Sequence, residues 1–158
     1  MEYVFSDPEE IYTSWPWLDE THFYFNIGIN RPNTKPIEVW FAFHYPISNL
    51  RVWLEKLVDN EENNICLDFE DEVGDISFDY DKINENVWIF TVEKEFSTMT
   101  RRLITNVNRK QLIKAIYEVV EILKSADYPE EYLKSEKRLE KLPDALISEK
   151  VEKYLKEE

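Results

Sequence analysis

The hydrophobic period of the chain changes from two to helical spacing and back, and each change predicts a new element. Residues 21–29 alternate strictly, with Phe and Ile on one parity and His, Tyr, Asn and Gly on the other, which is typical of a half-buried strand. A turn-rich stretch at 30–36 leads to a second alternating segment at 37–44. Pairing Ile29 with Ile37 brings both apolar sets to one face, so the pattern predicts an antiparallel hairpin in this register.

Helical spacing occurs in two longer segments. Residues 46–60 place apolar side chains three and four positions apart behind a capping Ser48 or Asn49. Residues 108–124 carry a second apolar stripe, and Asn108 resembles the start of a capping box with Gln111. Beyond it we expect two shorter helices, each beginning at a proline, at about 129–142 and 143–156.

Alternation returns between the two helical segments, and the run at 87–92 is apolar on both parities, as in a central strand. The predicted strands of this part lie at 65–69, 76–80, 87–92 and 99–105. The pattern therefore predicts an α+β fold with one antiparallel sheet of five or six strands in the order ββαββββ, packed against a long helix and followed by two short helices. We expect one domain over residues 1–158, mainly sheet to 107 and helical from 108.

Composition supports a folded chain and excludes several classes of function. In 158 residues, 43% are hydrophobic and five Trp, nine Tyr and nine Phe are present, which disordered sequences usually lack. Two glycines cannot build a glycine-rich phosphate loop, and the single Cys66 excludes an internal disulfide and a thiolate cluster. With no catalytic constellation in the sequence, we predict a protein that is not an enzyme and that uses no cofactor or metal.

The net charge of −14 is distributed unevenly along the chain. Residues 1–95 hold 21 acidic and 6 basic side chains, whereas residues 96–158 hold 12 and 13. Acidity peaks at 59–85, where eleven carboxylates accompany only Lys82. An excess of this kind disfavours direct binding of nucleic acid and of anionic membranes, and it favours a basic protein as the partner.

Strand register converts this count into a surface. Placing Phe69 opposite Ile76 keeps apolar side chains together and leaves Asp68, Glu70, Asp75 and Asp79 on the other face. One interpretation is a solvated surface, softened by salt or by Arg101 and Arg102 on a neighbouring strand. The other is a docking surface. For the second interpretation the predicted partner-binding residues are Asp68, Glu70, Asp71, Glu72, Asp75, Asp79 and Asp81, with Trp40 and Tyr24 as aromatic anchors.

The first hairpin carries further candidate chemistry on its outward parity. Its register places His22 opposite His44, but the spacing specifies no further ligands for a metal. Tyr24 and Trp40 share this face. Either residues 12–18 or the last helices cover these rings, or the rings are exposed and anchor an interface.

These observations favour a small cytoplasmic binding protein. In size and charge the chain resembles the small acidic α+β immunity proteins of bacterial toxin systems, a likeness that transfers no residues. It implies an inhibitor that neutralises a basic nuclease-type toxin by occlusion. The alternatives are a nucleic-acid mimic that inhibits a defence protein, a carboxylate- and metal-dependent enzyme, and a structural or adaptor protein. The sequence leaves the oligomeric state open.

Overall fold

Eight strands and three helices form the part of the chain that the computed structural model describes, namely residues 7–18, 22–44, 48–61, 67–69, 75–95, 97–130 and 141–157. The first sheet contains β1 (Glu10–Thr13), β2 (Trp17–Leu18), β3 (His22–Asn30) and β4 (Ile37–His44). The second contains β5 (Leu67–Phe69), β6 (Asp75–Asp81), β7 (Asn86–Glu95) and β8 (Thr98–Asn108). The helices are α1 (Ser48–Asp59), α2 (Arg109–Lys124) and α3 (Glu149–Lys156).

The first sheet is three strands wide, because β1 and β2 are two segments of one edge. Both pair antiparallel with β3, but Thr13 lies opposite Ile27 and Trp17 opposite Tyr24, so the register shifts by one residue between them. Ser14 bridges the irregularity, since its hydroxyl oxygen accepts the Asn26 backbone N–H at 3.0 Å. On the other side of β3, the predicted hairpin with Ile29 opposite Ile37 is confirmed.

The second sheet is an antiparallel meander in the order β5, β6, β7, β8. The predicted register of Phe69 opposite Ile76 is confirmed, and β7 is a central strand as its apolar run indicates. The strand predicted at 99–105 is also present, as β8, and extends to Asn108 at the start of α2. Asn108 caps this helix, because its side-chain oxygen accepts the N–H groups of Lys110 and Gln111 at 2.9 and 3.3 Å.

The α+β class is correct, but the prediction of one sheet of five or six strands is wrong. Strands β4 and β5 approach each other to within 8 Å between Cα atoms, yet no hydrogen-bonded ladder joins them in the described residues. Helix α1 lies between the two strands in the sequence. Alternation along a hairpin therefore predicts the pairing within each sheet, but it does not show that β4 and β5 belong to different sheets. The short strands β1 and β2 were also not predicted, because two to four residues are too few to display a period.

Aromatic side chains join the inner faces of the two sheets. Phe25 and Phe41 of the first sheet stack at 4.7 Å between ring centroids, and Phe41 stacks on Phe78 of β6 at 5.4 Å. Trp53 of α1 packs against Phe78 at 5.3 Å. The predicted stripe of α2 closes this core, with Leu112, Ile113, Ile116, Val119, Val120 and Leu123 all buried.

The C-terminal region differs from its prediction. The helix predicted at 129–142 falls mostly on residues 131–140, which lie outside the described residues. The last helix begins at Glu149 and not at Pro143, which follows a cis peptide bond and lies in a turn. Ser148 provides the true start, because its hydroxyl accepts the Val151 N–H at 3.3 Å and donates to Glu55 of α1 at 3.0 Å.

Arg109, at the first position of α2, ties four elements together. Its guanidinium donates to the carbonyl of Leu57 in α1 at 2.9 Å and lies 3.4 Å from the Glu85 carboxylate in the β6–β7 turn. The same group lies 5.3 Å from the centroid of the Tyr154 ring of α3. Only 9% of Arg109 is exposed, so these contacts form in a largely desolvated position where loss of one partner is costly.

We predict that Arg109→Met lowers the free energy of unfolding by about 2–4 kcal/mol, because the buried Leu57 carbonyl and the Glu85 carboxylate both lose a donor. Arg109→Lys is expected to restore only part of the loss, since an ammonium cannot reach both oxygens as a planar fork does. Urea denaturation measures the effect, with the exposed Lys114→Met on the same helix as control. Equal stability of the Arg109→Met and Lys114→Met variants would contradict the role given to Arg109.

Candidate functional site

The outward side of the first sheet is the most distinctive surface of the described chain. Phe23, Phe25, Ile27 and Ile29 of β3 are buried in the core, so the alternate residues of the sheet face away from it. We call this surface the outer aromatic face. Among the residues whose side chains the structure describes, it comprises by register Glu10, Tyr12, Tyr24, Asn26, Gly28, Asn30, Glu38 and Trp40.

Trp40 lies at the centre of β4 and is 51% exposed. Its cross-strand partner is Asn26, while Tyr24 pairs with Ala42, two residues further along β4. Trp40 and Tyr24 are therefore diagonal neighbours on one face, within reach of large side chains. The hairpin register thus brings together the two aromatic residues predicted as anchors, and half of the Trp40 surface remains in contact with solvent.

Tyr12 belongs to the same face, although the sequence pattern did not identify it as a site residue. A methyl group built on Gly28 would lie 2.2 Å from the Tyr12 Cζ atom, so the ring occupies the space above this glycine. A glycine at an outward strand position signals close approach of another group, and Gly28 was the available indication. Residues 12–18, one of the two segments predicted to cover the face, instead pair with β3 at its edge. From this segment, the Tyr12 ring lies above Gly28.

Asn26 carries an unsatisfied acceptor on the outer aromatic face. The residue is 7% exposed, and its side-chain Oδ1 is enclosed without a hydrogen-bond donor among the residues that the structure describes. Its backbone N–H and C=O, by contrast, are both paired with Ser14. A buried acceptor without a donor costs about 1–3 kcal/mol, so a hydrogen-bond donor brought to this atom is favourable.

The charge of the outer aromatic face is negative. Glu38 and Glu10 are exposed, and no Lys or Arg occupies any of its eight register positions. Glu10 accepts a hydrogen bond from the Asn30 side chain at 3.2 Å, whereas Glu38 extends from β4 two residues before Trp40. A carboxylate close to an exposed indole favours a cationic group over an anionic one.

The predicted acidic surface lies on the second sheet. Register places Asp68 opposite Ser77 and Asp75 opposite Val92, whereas Glu70, Asp71 and Glu72 lie outside the described residues. The Asp79 carboxylate lies 2.7 Å from the Arg101 guanidinium, which also donates to Ser77 at 3.0 Å and covers the Phe90 ring at 4.2 Å. Asp79 is thus neutralised by Arg101, as the interpretation of a softened surface expects.

Asp81 organises the turn between β6 and β7. Its carboxylate accepts the backbone N–H of Ile83 at 3.1 Å and the Asn84 side-chain amide at 2.7 Å. The bond from the Asn84 side chain is the main cause that lowers the pKa of Asp81, and further hydrogen bonds act in the same direction. The turn holds Ile83 at its tip, 92% exposed. Asp81 therefore serves the fold directly.

Three acidic side chains of residues 1–95, which we call the sheet half, form ion pairs with basic side chains of residues 96–158, the C-terminal half. Asp59 pairs with Lys150 at 2.9 Å, Asp79 with Arg101 at 2.7 Å, and Glu85 with Arg109 at 3.4 Å. Part of the charge separation seen along the sequence is thus neutralised within the fold. The partly exposed pairs Asp59–Lys150 and Asp79–Arg101 each contribute about 0–1 kcal/mol, so they reduce the local excess of charge without dominating stability.

A groove of about 390 Å³ lies between α2 and α3. Lys114, Glu118 and Glu121 of α2 and Glu152 of α3 line it beside Tyr117. Burial raises the pKa of Tyr117 to about 12, so its hydroxyl remains protonated and donates to Glu152 at 2.8 Å. The hydroxyl also accepts the Ser148 N–H at 3.2 Å. These contacts hold α3 against α2, so the polar groups beside the groove serve the packing of the two helices.

Other chemistry receives no support from the described residues. His22 and His44 are opposite one another by register, as predicted, but their side chains are not among the described groups. Within the described ranges, no three His, Cys, Asp or Glu side chains are close enough to hold a metal ion. No helix among these residues combines the length and apolar composition that a membrane crossing requires.

Comparison with known proteins finds no relative. No family model matches the sequence, and neither the curated proteins nor the solved structures give a match. Any function must therefore be argued from the surface itself.

We predict that Gly28→Ala lowers stability by about 1 kcal/mol, because the new methyl displaces the Tyr12 ring. In a Tyr12→Ala background the same substitution is expected to be neutral or stabilising, since alanine loses less chain entropy than glycine on folding. Urea denaturation of the four proteins in this double-mutant cycle gives the coupling. An identical effect of Gly28→Ala in both backgrounds would show that the ring does not occupy this space.

We predict that Asp81→Ala destabilises the protein by about 1–2 kcal/mol at neutral pH, because three donors lose their acceptor. The folded pKa of Asp81 is lowered, so its stabilisation is fully present above the ordinary Asp value of about 4 and is lost as pH falls through the folded pKa. Urea denaturation at pH 7 and pH 3 should show a smaller difference from wild type at pH 3. The neighbouring exposed Lys82→Ala is the control, and a difference that is independent of pH would refute this account.

Proposed function

We propose that the chain is a binding protein without catalytic activity that inhibits a basic protein partner by occlusion. Its most concrete form is an immunity protein that neutralises a nuclease-type bacterial toxin. In this proposal the outer aromatic face makes the contact, and the carboxylates of the second sheet add attraction at longer range.

The observation that carries the proposal is the position of Trp40. A tryptophan half in solvent, at the centre of a strand and on one face with Tyr24 and Tyr12, provides a large apolar area on a rigid support. Tryptophan and tyrosine are enriched among the residues that contribute most to protein interfaces. The strand that carries Trp40 is paired along its length with β3, which fixes its backbone. Binding of a partner therefore costs no ordering of this strand.

Charge supports a basic partner. The chain has a net charge of −14, and the outer aromatic face carries Glu10 and Glu38 without a basic residue. Among the described residues, pairs with bases of the C-terminal half neutralise Asp59, Asp79 and Glu85, three of the 21 acids in residues 1–95. A field of this sign accelerates encounter with a cationic protein and repels nucleic acid.

The proposed inhibition needs no catalytic group. An enzyme that acts on nucleic acid presents Lys and Arg around its cleft. An acidic protein that docks against this cleft covers the substrate path and competes with phosphate for the same side chains. The carboxylates at Asp68, Glu70, Asp71, Glu72, Asp75, Asp79 and Asp81 are the group proposed to attract those cations at longer range, although Arg101 already pairs with Asp79.

The test is binding to the product of the gene adjacent to its own, by calorimetry at low and high salt. We expect a complex with a basic protein whose affinity falls as salt rises. Trp40→Ala is expected to weaken it about 30-fold, the size of an interface hot spot. Trp15→Ala is the matched control, since Trp15 is 50% exposed and lies outside the outer aromatic face.

Two results would count against the proposal. One is that no basic protein binds. The other is that affinity is unchanged both by Trp40→Ala and by joint replacement of Asp68, Glu70, Asp75 and Asp79 with Asn or Gln. Nuclease activity of the partner, measured with and without the protein, then separates an inhibitor from a binder that leaves the cleft open.

A further inference from the structure

The outer aromatic face has the chemistry to receive one particular side chain of a partner. Building on the proposed function, we infer that it takes an arginine, whose guanidinium stacks on the Trp40 indole, pairs with Glu38 and donates to Asn26 Oδ1. The three groups are neighbours by register, because Asn26 lies directly opposite Trp40 and Glu38 precedes Trp40 by two residues on β4.

The indole and the carboxylate together select a planar cation. A guanidinium lies flat on an aromatic face, and Trp is the strongest partner for this interaction. Residues two apart on a strand project to the same side at a separation of roughly 6–7 Å. A guanidinium over the Trp40 ring can therefore direct its N–H groups to the Glu38 carboxylate, which is exposed on the same side.

Asn26 is an independent observation that points to a ligand. Its Oδ1 is an acceptor that has no donor within the described part of the chain, in a residue that is more than nine-tenths buried. A guanidinium has five N–H donors and no acceptor, so it can serve Asn26 and Glu38 together. A lysine ammonium has three donors and no plane to stack, and a neutral sugar leaves Glu38 without a counter-charge.

Access to the enclosed Asn26 oxygen requires a side-chain movement, and we assign this movement to Trp40, which lies directly opposite on β4. The Asn26 oxygen is enclosed in the free protein, and the indole of its direct cross-strand partner is the adjacent side chain on that face. Because half of the indole surface is in solvent, the ring can change rotamer without opening the core. The arginine then takes a place beside Asn26 and stacks on the displaced indole.

The experiment uses short peptides as probes and amide NMR spectra of the intact protein as the readout. The probes are acetyl-Gly-Arg-Gly-amide, its citrulline and lysine analogues, and cellobiose as a neutral sugar. The Trp40 indole N–H signal is identified by its absence in Trp40→Phe. We expect the arginine peptide to shift this signal and the Asn26 side-chain amide signals together, and to bind about tenfold more tightly than the citrulline peptide.

Variants locate the contact. Glu38→Gln is expected to weaken the arginine peptide about tenfold and to leave the citrulline peptide unchanged. Glu93→Gln, at an exposed carboxylate of the second sheet, and Trp15→Phe are the controls and should change neither. The proposal is overturned if citrulline, lysine or cellobiose shifts the two signals as strongly as arginine, or if the Asn26 amide does not move.

The two proposals can fail separately. If the arginine peptide binds as expected while no basic protein forms a complex, the arginine site stands and the inhibitor function falls. If a basic protein binds through Trp40 while the face does not discriminate arginine from citrulline, the function stands and the arginine site falls.

Discussion

The relative position of the two sheets depends on side-chain packing, because no ladder joins them in the described residues. Three phenylalanine rings and Trp53 form the junction, with Phe41 stacked between Phe25 of its own sheet and Phe78 of the other. The Trp53 indole N–H finds no hydrogen-bond acceptor among the described residues, so this side of the junction is held by packing alone. Stacked aromatic pairs have a preferred geometry, which gives this packing a direction that aliphatic side chains would lack.

Two arginines complement the aromatic junction with polar ties. Arg31 follows β3 and donates to the Thr105 hydroxyl at 2.7 Å and to the Asn106 carbonyl of β8, so it links the first sheet to the last strand of the second. Burial lowers the pKa of Arg31 and nearby Asp7 acts in the opposite direction. Arg109 links the helices in a similar way, because it contacts α1 and α3 from the first position of α2. The outer aromatic face keeps its form because the inner face of the same strands is held in this way.

Local pattern predicted the hairpins well and their assembly poorly. The registers of Ile29 with Ile37 and of Phe69 with Ile76 follow from a period of two, since a slip of one residue would turn every apolar side chain outward. The period of two does not show that β4 and β5 belong to different sheets. That separation depends on how Phe41 and Phe78 meet across the core, which is a contact between residues far apart in the chain.

The site was partly accessible from sequence for the same reason. Parity placed Tyr24 and Trp40 on one face, but the exposure of Trp40 depends on the path of residues 10–18, which carry little pattern. Asn26 was not identified, because an unsatisfied atom can be recognised only once its neighbours are in place. Charge counting had a similar limit, since it left open whether these acids are free, whereas Asp79 is paired with Arg101 and Asp81 shapes a turn.

The ion pairs between the two halves of the chain have a consequence for the order of synthesis. Asp59, Asp79 and Glu85 all precede their partners Arg101, Arg109 and Lys150 in the sequence. A nascent chain that ends before residue 96 therefore carries its fifteen excess negative charges without these counter-ions. Self-repulsion opposes compaction at that stage. Collapse of the sheet half is thus coupled to the arrival of the basic residues, which also bring α2 and the last strand that the core requires.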